Sequence, residues 1–125
     1  MKPAFLLLSL LLVLAGPAMA APPPQAEREI EQLIAALGSS GCEFQRNGRW
    51  YSAGQAQAHL RKKYDYLRKR DLVATAEQFI ERGGSESSVT GRAYQVRCAG
   101  RAPTTSAAWL RARLAALRGG SARAP

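Results

Sequence analysis

The sequence predicts an α+β domain: about four helices packed on a small antiparallel sheet, a β-hairpin plus one further strand, with one disulfide. Three observations carry this expectation. Apolar residues recur at helical spacing in three long stretches, an Asn47-Gly48 dipeptide sits between alternating aromatic flanks, and two cysteines stand in a chain that opens like an exported one. The chain has 125 residues, 46% of them apolar and 22% charged. That length supports one domain and excludes a two-domain enzyme or a large barrel, and the apolar share suffices to offset the ordering entropy of a compact core.

The first twenty residues read as a secretory signal peptide. Lys2 precedes an apolar run over residues 4–15 broken only by Ser9, and Gly16-Pro17 then leads into Ala18-Met19-Ala20, after which cleavage is expected. The run is too short for a membrane-spanning helix, which needs roughly 20 residues, so no transmembrane span is expected in the mature chain. The periplasm is the expected destination, with the extracellular space as the alternative. Residues 21–24 are proline-rich and read as an extended spacer, residues 25–118 as the domain, and residues 119–125 as a flexible tail.

Ile30, Leu33, Ile34 and Leu37 place one buried stripe on a helix over residues 25–37, with Gly38 able to end it. Glu27, Glu29 and Glu31 lie near its positive N-terminal end and need no catalytic explanation. Asn47-Gly48 supplies the positive φ angles of a two-residue type I′ turn, which sets Phe44 opposite Tyr51 on the face that carries Cys42. Arg46 and Arg49 then pair beside the turn, and the expectation is that both splay into solvent.

Ser52 and Gln55 form a capping box that opens a second helix, running to about residue 69. Ala56, Leu60, Tyr64 and Leu67 form its apolar stripe, while Arg61, Lys62, Arg68 and Lys69 make a basic arc on the far side with Asp65 among them. Thr75 and Gln78 cap a short helix carrying Phe79 and Ile80 that stops at Gly83-Gly84. Residues 85–92 read as a polar turn before the strand of Tyr94, Val96 and Cys98. Thr104 or Thr105 caps a last amphipathic helix to about residue 118, with Ala107, Leu110, Leu114 and Leu117 in one stripe and Gly119-Gly120 at its end. Trp109, Arg111, Arg113 and Arg118 make that helix basic, and docking onto the core is favoured over lying on a membrane surface.

Export gives the cysteines their meaning. Cys42 and Cys98 read as one disulfide across 55 intervening residues, a closure expected to contribute about 4 kcal/mol. A catalytic thiol paired with His59 is disfavoured, because nothing marks either cysteine as a thiolate. One His and two Cys are too few for a zinc site, and Gly-x-Ser-x-Gly, Gly-x-Gly-x-x-Gly and Walker patterns are absent, so neither metal nor cofactor is expected.

Gly41-Cys42-Glu-Phe-Gln-Arg-Asn-Gly, His59-Leu60-Arg-Lys-Lys-Tyr64, Ala76-Glu77-Gln-Phe79-Ile80-Glu81, Ser87-Ser88-Val-Thr-Gly91-Arg-Ala-Tyr94 and Trp109-Leu110 occur in that order. Together they resemble the motifs of a small exported proteobacterial family catalogued as domain of unknown function 5329. Thr90, Arg92 and Ala93 depart from that family's usual Ser-Gly-Lys-Pro-Tyr before the strand. The resemblance implies a bacterial source, an envelope setting and one compact unit, and it implies no activity, ligand or catalytic residue.

Two functions follow from the residues. In the first, the chain is a non-enzymatic binding module whose basic face, centred on Arg61, Lys62, Arg68 and Lys69, engages an anionic envelope component or an acidic protein partner. In the second, it is a small periplasmic enzyme: His59 as general base or proton carrier, Lys63 holding an anion and Tyr66 donating a hydrogen bond, in a polar pocket completed by Tyr66 or Ser88. Nucleic acid is a poorer partner, because the basic arc lacks interleaved aromatics for stacking. Charge is segregated along the chain: residues 25–43 carry four acids and one base, residues 44–71 eight bases and two acids, residues 72–91 three acids and one base, and residues 92–125 seven bases and no acid. A polyanion partner would therefore meet the second or the last helix.

Overall fold

The computed structural model describes residues 22–123. The signal peptide expected over residues 1–20 lies outside them. Four helices and a four-stranded antiparallel sheet form the α+β domain. Helix α1 spans Pro24–Gly38, one residue earlier than its apolar pattern suggests. Pro24 sits in the first turn, where its missing N–H would have no partner anyway and its fixed φ suits a helix. Pro22, in the expected spacer, is buried, whereas Pro23 is exposed.

Strands β1 (Glu43–Arg46) and β2 (Arg49–Tyr51) flank the turn, where Asn47 and Gly48 have φ of 51° and 80°. Phe44 pairs with Tyr51 and Arg46 with Arg49, the register the turn demands. Helix α2 (Ala53–Lys69) opens on the reciprocal Ser52–Gln55 capping box, and α3 (Ala76–Gly83) opens on Thr75 accepting from the Gln78 N–H. Strand β3 (Gln95–Arg97) pairs with β1, and a two-residue β4 (Thr104–Thr105) pairs with β3, giving the order β2-β1-β3-β4. β4 was not foreseen, because two exposed threonines carry no alternation. Thr105 closes this strand and also caps α4, accepting from the Ala108 N–H at 3.2 Å.

Helix α4 (Ser106–Arg123) runs through Gly119 and Gly120, beyond the stop expected near residue 118. Two glycines cost about 1 kcal/mol each in a helix, too little to end one flanked by good helix formers.

Helix α1 packs against all three other helices, and Ile30, Leu33, Ile34 and Leu37 are fully buried there. Leu60, Tyr64, Leu67, Phe79, Ile80 and Leu110 complete that centre, each contributing roughly 1.5–3 kcal/mol by burial. The inner face of the sheet joins through Phe44 and Val96, and Trp109 meets Phe44 edge-on at 5.8 Å. The last helix thus docks on the core. At the end of α3, a side chain on Gly84 would meet the Leu110 Cδ1 at 2.5 Å, so glycine permits the approach of α4. No helix among the described residues is long and apolar enough to cross a membrane.

Cys42 and Cys98 form the disulfide, with Cα atoms 4.4 Å apart. They sit one residue beyond the Glu43–Arg97 pair and continue its register. Replacing both cysteines with serine is expected to lower unfolding free energy by about 4 kcal/mol, read as a fall in the denaturant midpoint.

Tyr64 is fully buried, and its hydroxyl is the one buried side-chain polar atom without a hydrogen-bond partner among the described residues. Burial also raises its pKa, since a phenolate there would be poorly solvated. Tyr64→Phe removes an unsatisfied group and keeps the ring packed edge-on against Phe79 at 5.7 Å. The variant should be as stable as the parent or more stable by about 1 kcal/mol in chemical denaturation; a loss of that size would mean that the hydroxyl has a partner.

Candidate functional site

Three pieces of chain meet at the turn end of the sheet: the Arg46 end of β1, the first half of α2, and the residues leading into β3. His59 and Lys63 are one helical turn apart, so α2 presents both toward the same neighbours. A guanidinium nitrogen of Arg46 lies 2.8 Å from His59 Nδ1 and 3.4 Å from Nε2, and its other terminal nitrogen donates to the Tyr51 hydroxyl at 3.5 Å. His59 Nε2 is 3.1 Å from the Tyr94 hydroxyl, with the two rings edge-on at 5.9 Å. Lys63 Nζ donates to the Tyr94 hydroxyl at 3.0 Å and to the Glu86 carbonyl at 2.9 Å. The Tyr94 backbone is pinned on both sides, its N–H donating to Ser85 O and its carbonyl accepting from Ser106 N–H.

Beside this network lies a cleft of about 340 Å³. Phe44, Ala56, Ala58 and Leu60 supply apolar wall; Arg46, Tyr51, His59, Lys62 and Tyr94 supply polar groups, as do Gln45, Gln55 and Ser106. Among the described residues no carboxylate lines it.

The electrostatics follow from burial among cations. His59 has its pKa lowered to about 4, first by desolvation and then by Arg46, Lys63 and Lys62. The ring is neutral at pH 7, and both nitrogens are engaged, so it holds its neighbours in place and is a poor general base near neutrality. Burial lowers the Lys63 pKa and raises that of Tyr94, while the Arg46 hydrogen bond pulls the Tyr51 phenol down.

The expected site residues separate. His59 and Lys63 share Tyr94, but Tyr66, about 10 Å from His59 and about 4.5 Å beyond Lys63 along the helix axis, is 54% exposed and stacks under Arg70 at 3.6 Å. The trio is therefore a pair, with Tyr94 in the role that Tyr66 was assigned. Ser88 is exposed and outside the cleft lining. Its neighbour Ser87 is buried, and its hydroxyl accepts from Asn47 Nδ2 and from the Val89 and Thr90 N–H groups, stitching the hairpin tip to the polar turn. Arg46 does not splay into solvent as expected: it folds over Tyr51, 5.0 Å from the ring centroid, and onto His59, while Arg49 remains exposed.

The basic arc is divided as well. Arg61 grips Glu31 with two hydrogen bonds of 2.6 and 2.7 Å, holding the Glu31 carboxyl below its ordinary value, and Arg68 reaches Asp65 and Glu27. Lys62 stands at the cleft and, like Lys69, is exposed. Arg118 is held by Glu29 and Glu77. Among the described residues no group of three or more His, Cys, Asp or Glu could hold a metal ion.

Sequence reading missed Arg46 and Tyr94 as a pair. The signal was available: Arg46 follows Cys42 by four residues and Tyr94 precedes Cys98 by four, so an antiparallel pairing locked by that disulfide brings them level.

Fold and site together define a small disulfide-stapled α+β domain with a donor-rich cleft at one end of its sheet. Residues 24–118 match the model of a family of unknown function, DUF5329, and the chain belongs to that family. An uncharacterized protein, YfeK, of Salmonella typhimurium strain LT2 is 38% identical over 84 residues, which cover 66% of this chain and 68% of that protein. No solved structure matches the chain.

Because His59 is the only histidine, its titration can be followed without assignment ambiguity. Its ring resonances should titrate with a midpoint near 4 and stay still between pH 8 and 5.5. The unfolded chain takes up this proton near pH 6.5 and the folded chain only near 4. The contribution to stability is therefore complete above 6.5, declines as pH falls between those values, and is flat below them. A His59→Gln variant should lose that part of the pH dependence; an NMR midpoint near 6.5 would contradict the desolvated ring.

Proposed function

We propose that the protein is an exported, non-enzymatic binding module of the cell envelope that holds an anionic group of its ligand in the cleft beside Arg46. The leader-like residues 1–20 and the disulfide support export, since disulfides persist in oxidising compartments. One observation carries the binding reading. Arg61, Arg68, Arg97 and Arg118 are each matched to a carboxylate within 4 Å, whereas Arg46 and Lys63, half-buried at the cleft, meet only neutral groups among the described residues at that range: His59, Tyr51, Tyr94 and the Glu86 carbonyl; Arg70 and Arg82 also bond to carbonyls but are exposed and outside the cleft lining. The Glu86 carboxylate acts on Lys63 from further away. Two positive charges held in position with no counter-charge in contact attract an anion, and the partly buried setting strengthens that attraction over one at an open surface.

This moves the binding role from the α2 arc to the cleft. Titration with inorganic phosphate, followed by the Arg46 side-chain and His59 ring resonances, separates the two. A saturable shift is expected in the parent and in an arc variant with Arg61, Arg68 and Lys69 changed to Gln, Lys62 being kept because it lines the cleft. Arg46→Gln should weaken it tenfold or more, as loss of a charge-assisted hydrogen bond does. Retention in Arg46→Gln with loss in the arc variant would overturn the cleft reading.

A further inference from the structure

The cleft is more than a cationic spot, and its second property narrows the ligand. Tyr94 is buried, with 5% of its surface exposed, yet it lines the cleft. Its hydroxyl oxygen faces two donors. A guanidinium can only donate, so the His59 Nδ1 beside Arg46 is the accepting nitrogen and the neutral ring carries its proton on Nε2, toward Tyr94. The Lys63 ammonium can only donate as well. Both lone pairs of the phenol oxygen are thereby taken, and the Tyr94 proton has no acceptor among the described residues. Arg46 spends one terminal nitrogen on His59 and the other on Tyr51 and keeps further N–H groups. The polar end of the cleft therefore offers a small number of donors in the field of Arg46, of Lys63 bonded to Tyr94 and of Lys62 in the lining, a match for the two oxygens of one carboxylate. The rest of the lining includes an apolar wall of Phe44, Ala56, Ala58 and Leu60, together with Gln45, Gln55, Lys62 and Ser106.

We propose that the ligand is a single-chain amphiphilic carboxylate, its head taking the Tyr94 O–H and an Arg46 N–H and its apolar chain lying along Phe44, Ala56 and Leu60. This rests on the anion-binding reading above and adds the chemistry of the body and the head. The cleft volume of about 340 Å³ lies at the small end of ligand pockets and suits a chain of roughly eight to twelve carbons. A free acid is favoured over a bilayer lipid, because the cleft admits one chain and not two.

The test is calorimetric titration of the disulfide-intact protein with straight-chain carboxylates of increasing length, each below its micelle concentration. Each added methylene should tighten binding about two- to fourfold until the cleft is full. The alcohol of the same length should bind at least tenfold more weakly than the acid. Tyr94→Phe should remove most of that preference for acid over alcohol while keeping the dependence on chain length, a split that loss of structure would not produce. Tyr66→Phe should change neither. Should Tyr94→Phe fail to fold, the ¹⁵N shifts of His59 in the parent decide: a proton on Nε2 is required, and one on Nδ1 overturns the assignment of the Tyr94 hydroxyl.

Phosphate binding without any chain-length dependence would overturn the amphiphile and leave the anion reading standing. Binding of neither phosphate nor carboxylates would overturn both. Equal affinity for acid and alcohol would overturn the head-group assignment. Flotation with phosphatidylglycerol vesicles, or binding of a Glu-rich peptide, in the absence of binding to free acids would assign the cleft to a membrane or a protein and overturn the proposal.

Discussion

The register between β1 and β3 is the constraint on which the other features rest. Phe44 pairs with Val96, and the same register runs outward in both directions. Toward one end it carries Cys42 opposite Cys98; toward the other, continued one residue past Gln45–Gln95, it brings Arg46 level with Tyr94. Cysteine, apolar pair and polar pair all lie on the inner face because they are two residues apart. A slip of one residue would turn all three outward and separate the half-cystines. The disulfide therefore does two things: it restricts the unfolded chain, and it fixes the alignment that assembles the cleft four residues away. Strands of three and four residues have few ladder hydrogen bonds with which to define a register, and so the covalent bond matters more here than in a large sheet.

The helices meet this sheet through α2 and α4, and α1 sets how those two sit. Its apolar stripe provides the energy, while Glu27, Glu29 and Glu31 reach Arg68, Arg118 and Arg61 on the neighbouring helices. These pairs are partly exposed and worth at most about 1 kcal/mol each, so they orient helices already packed by burial. They also explain the segregated charge. An acidic α1 lies between basic elements, and its carboxylates neutralise arginines that would otherwise form one broad positive face. In the sequence the three glutamates read only as suited to a helix N-terminus, because their partners are 30 to 89 residues distant.

How far the fold could be read from the residues depended on the range of the interaction involved. Asn47-Gly48, Ser52 with Gln55, and Thr75 with Gln78 act within four residues, and the turn and caps they imply are present. Stripes such as Ile30, Leu33, Ile34 and Leu37 fix which face is buried, and that too was legible. Extent was less so: Pro24 joins α1 and Gly119-Gly120 do not end α4, since single-residue propensities of about 1 kcal/mol yield to packing and context. The site was half legible. His59 and Lys63 share a helix and could be grouped by spacing, whereas their common partner Tyr94 is 31 residues beyond Lys63 and Arg46 is 13 before His59. Tyr66 fitted the helical period, but periodicity places a residue on a face and says nothing about how far along the helix the neighbouring elements extend.

The choice of a neutral partner for Arg46 has a physical consequence that the other arginines make plain. A carboxylate both positions a guanidinium and cancels its charge, as Glu31 does for Arg61 and Glu43 for Arg97. A neutral imidazole positions it and leaves the charge in place. With Arg46, Lys63 and Lys62 around it, His59 cannot readily protonate, since a further charge would add repulsion on top of desolvation. Burial first and the cations second thus keep the ring neutral, and the neutral ring keeps Arg46 and Tyr94 in place without spending their field. An acid at position 59 would satisfy the same nitrogens more strongly and would make this corner of the molecule like the Arg61 and Arg97 sites, ordered and electrostatically silent. Repulsion between Arg46 and Lys63 is the cost of leaving it unsilenced, and the Tyr94 ring and hydroxyl against Lys63, with the Glu86 carbonyl, offset part of it.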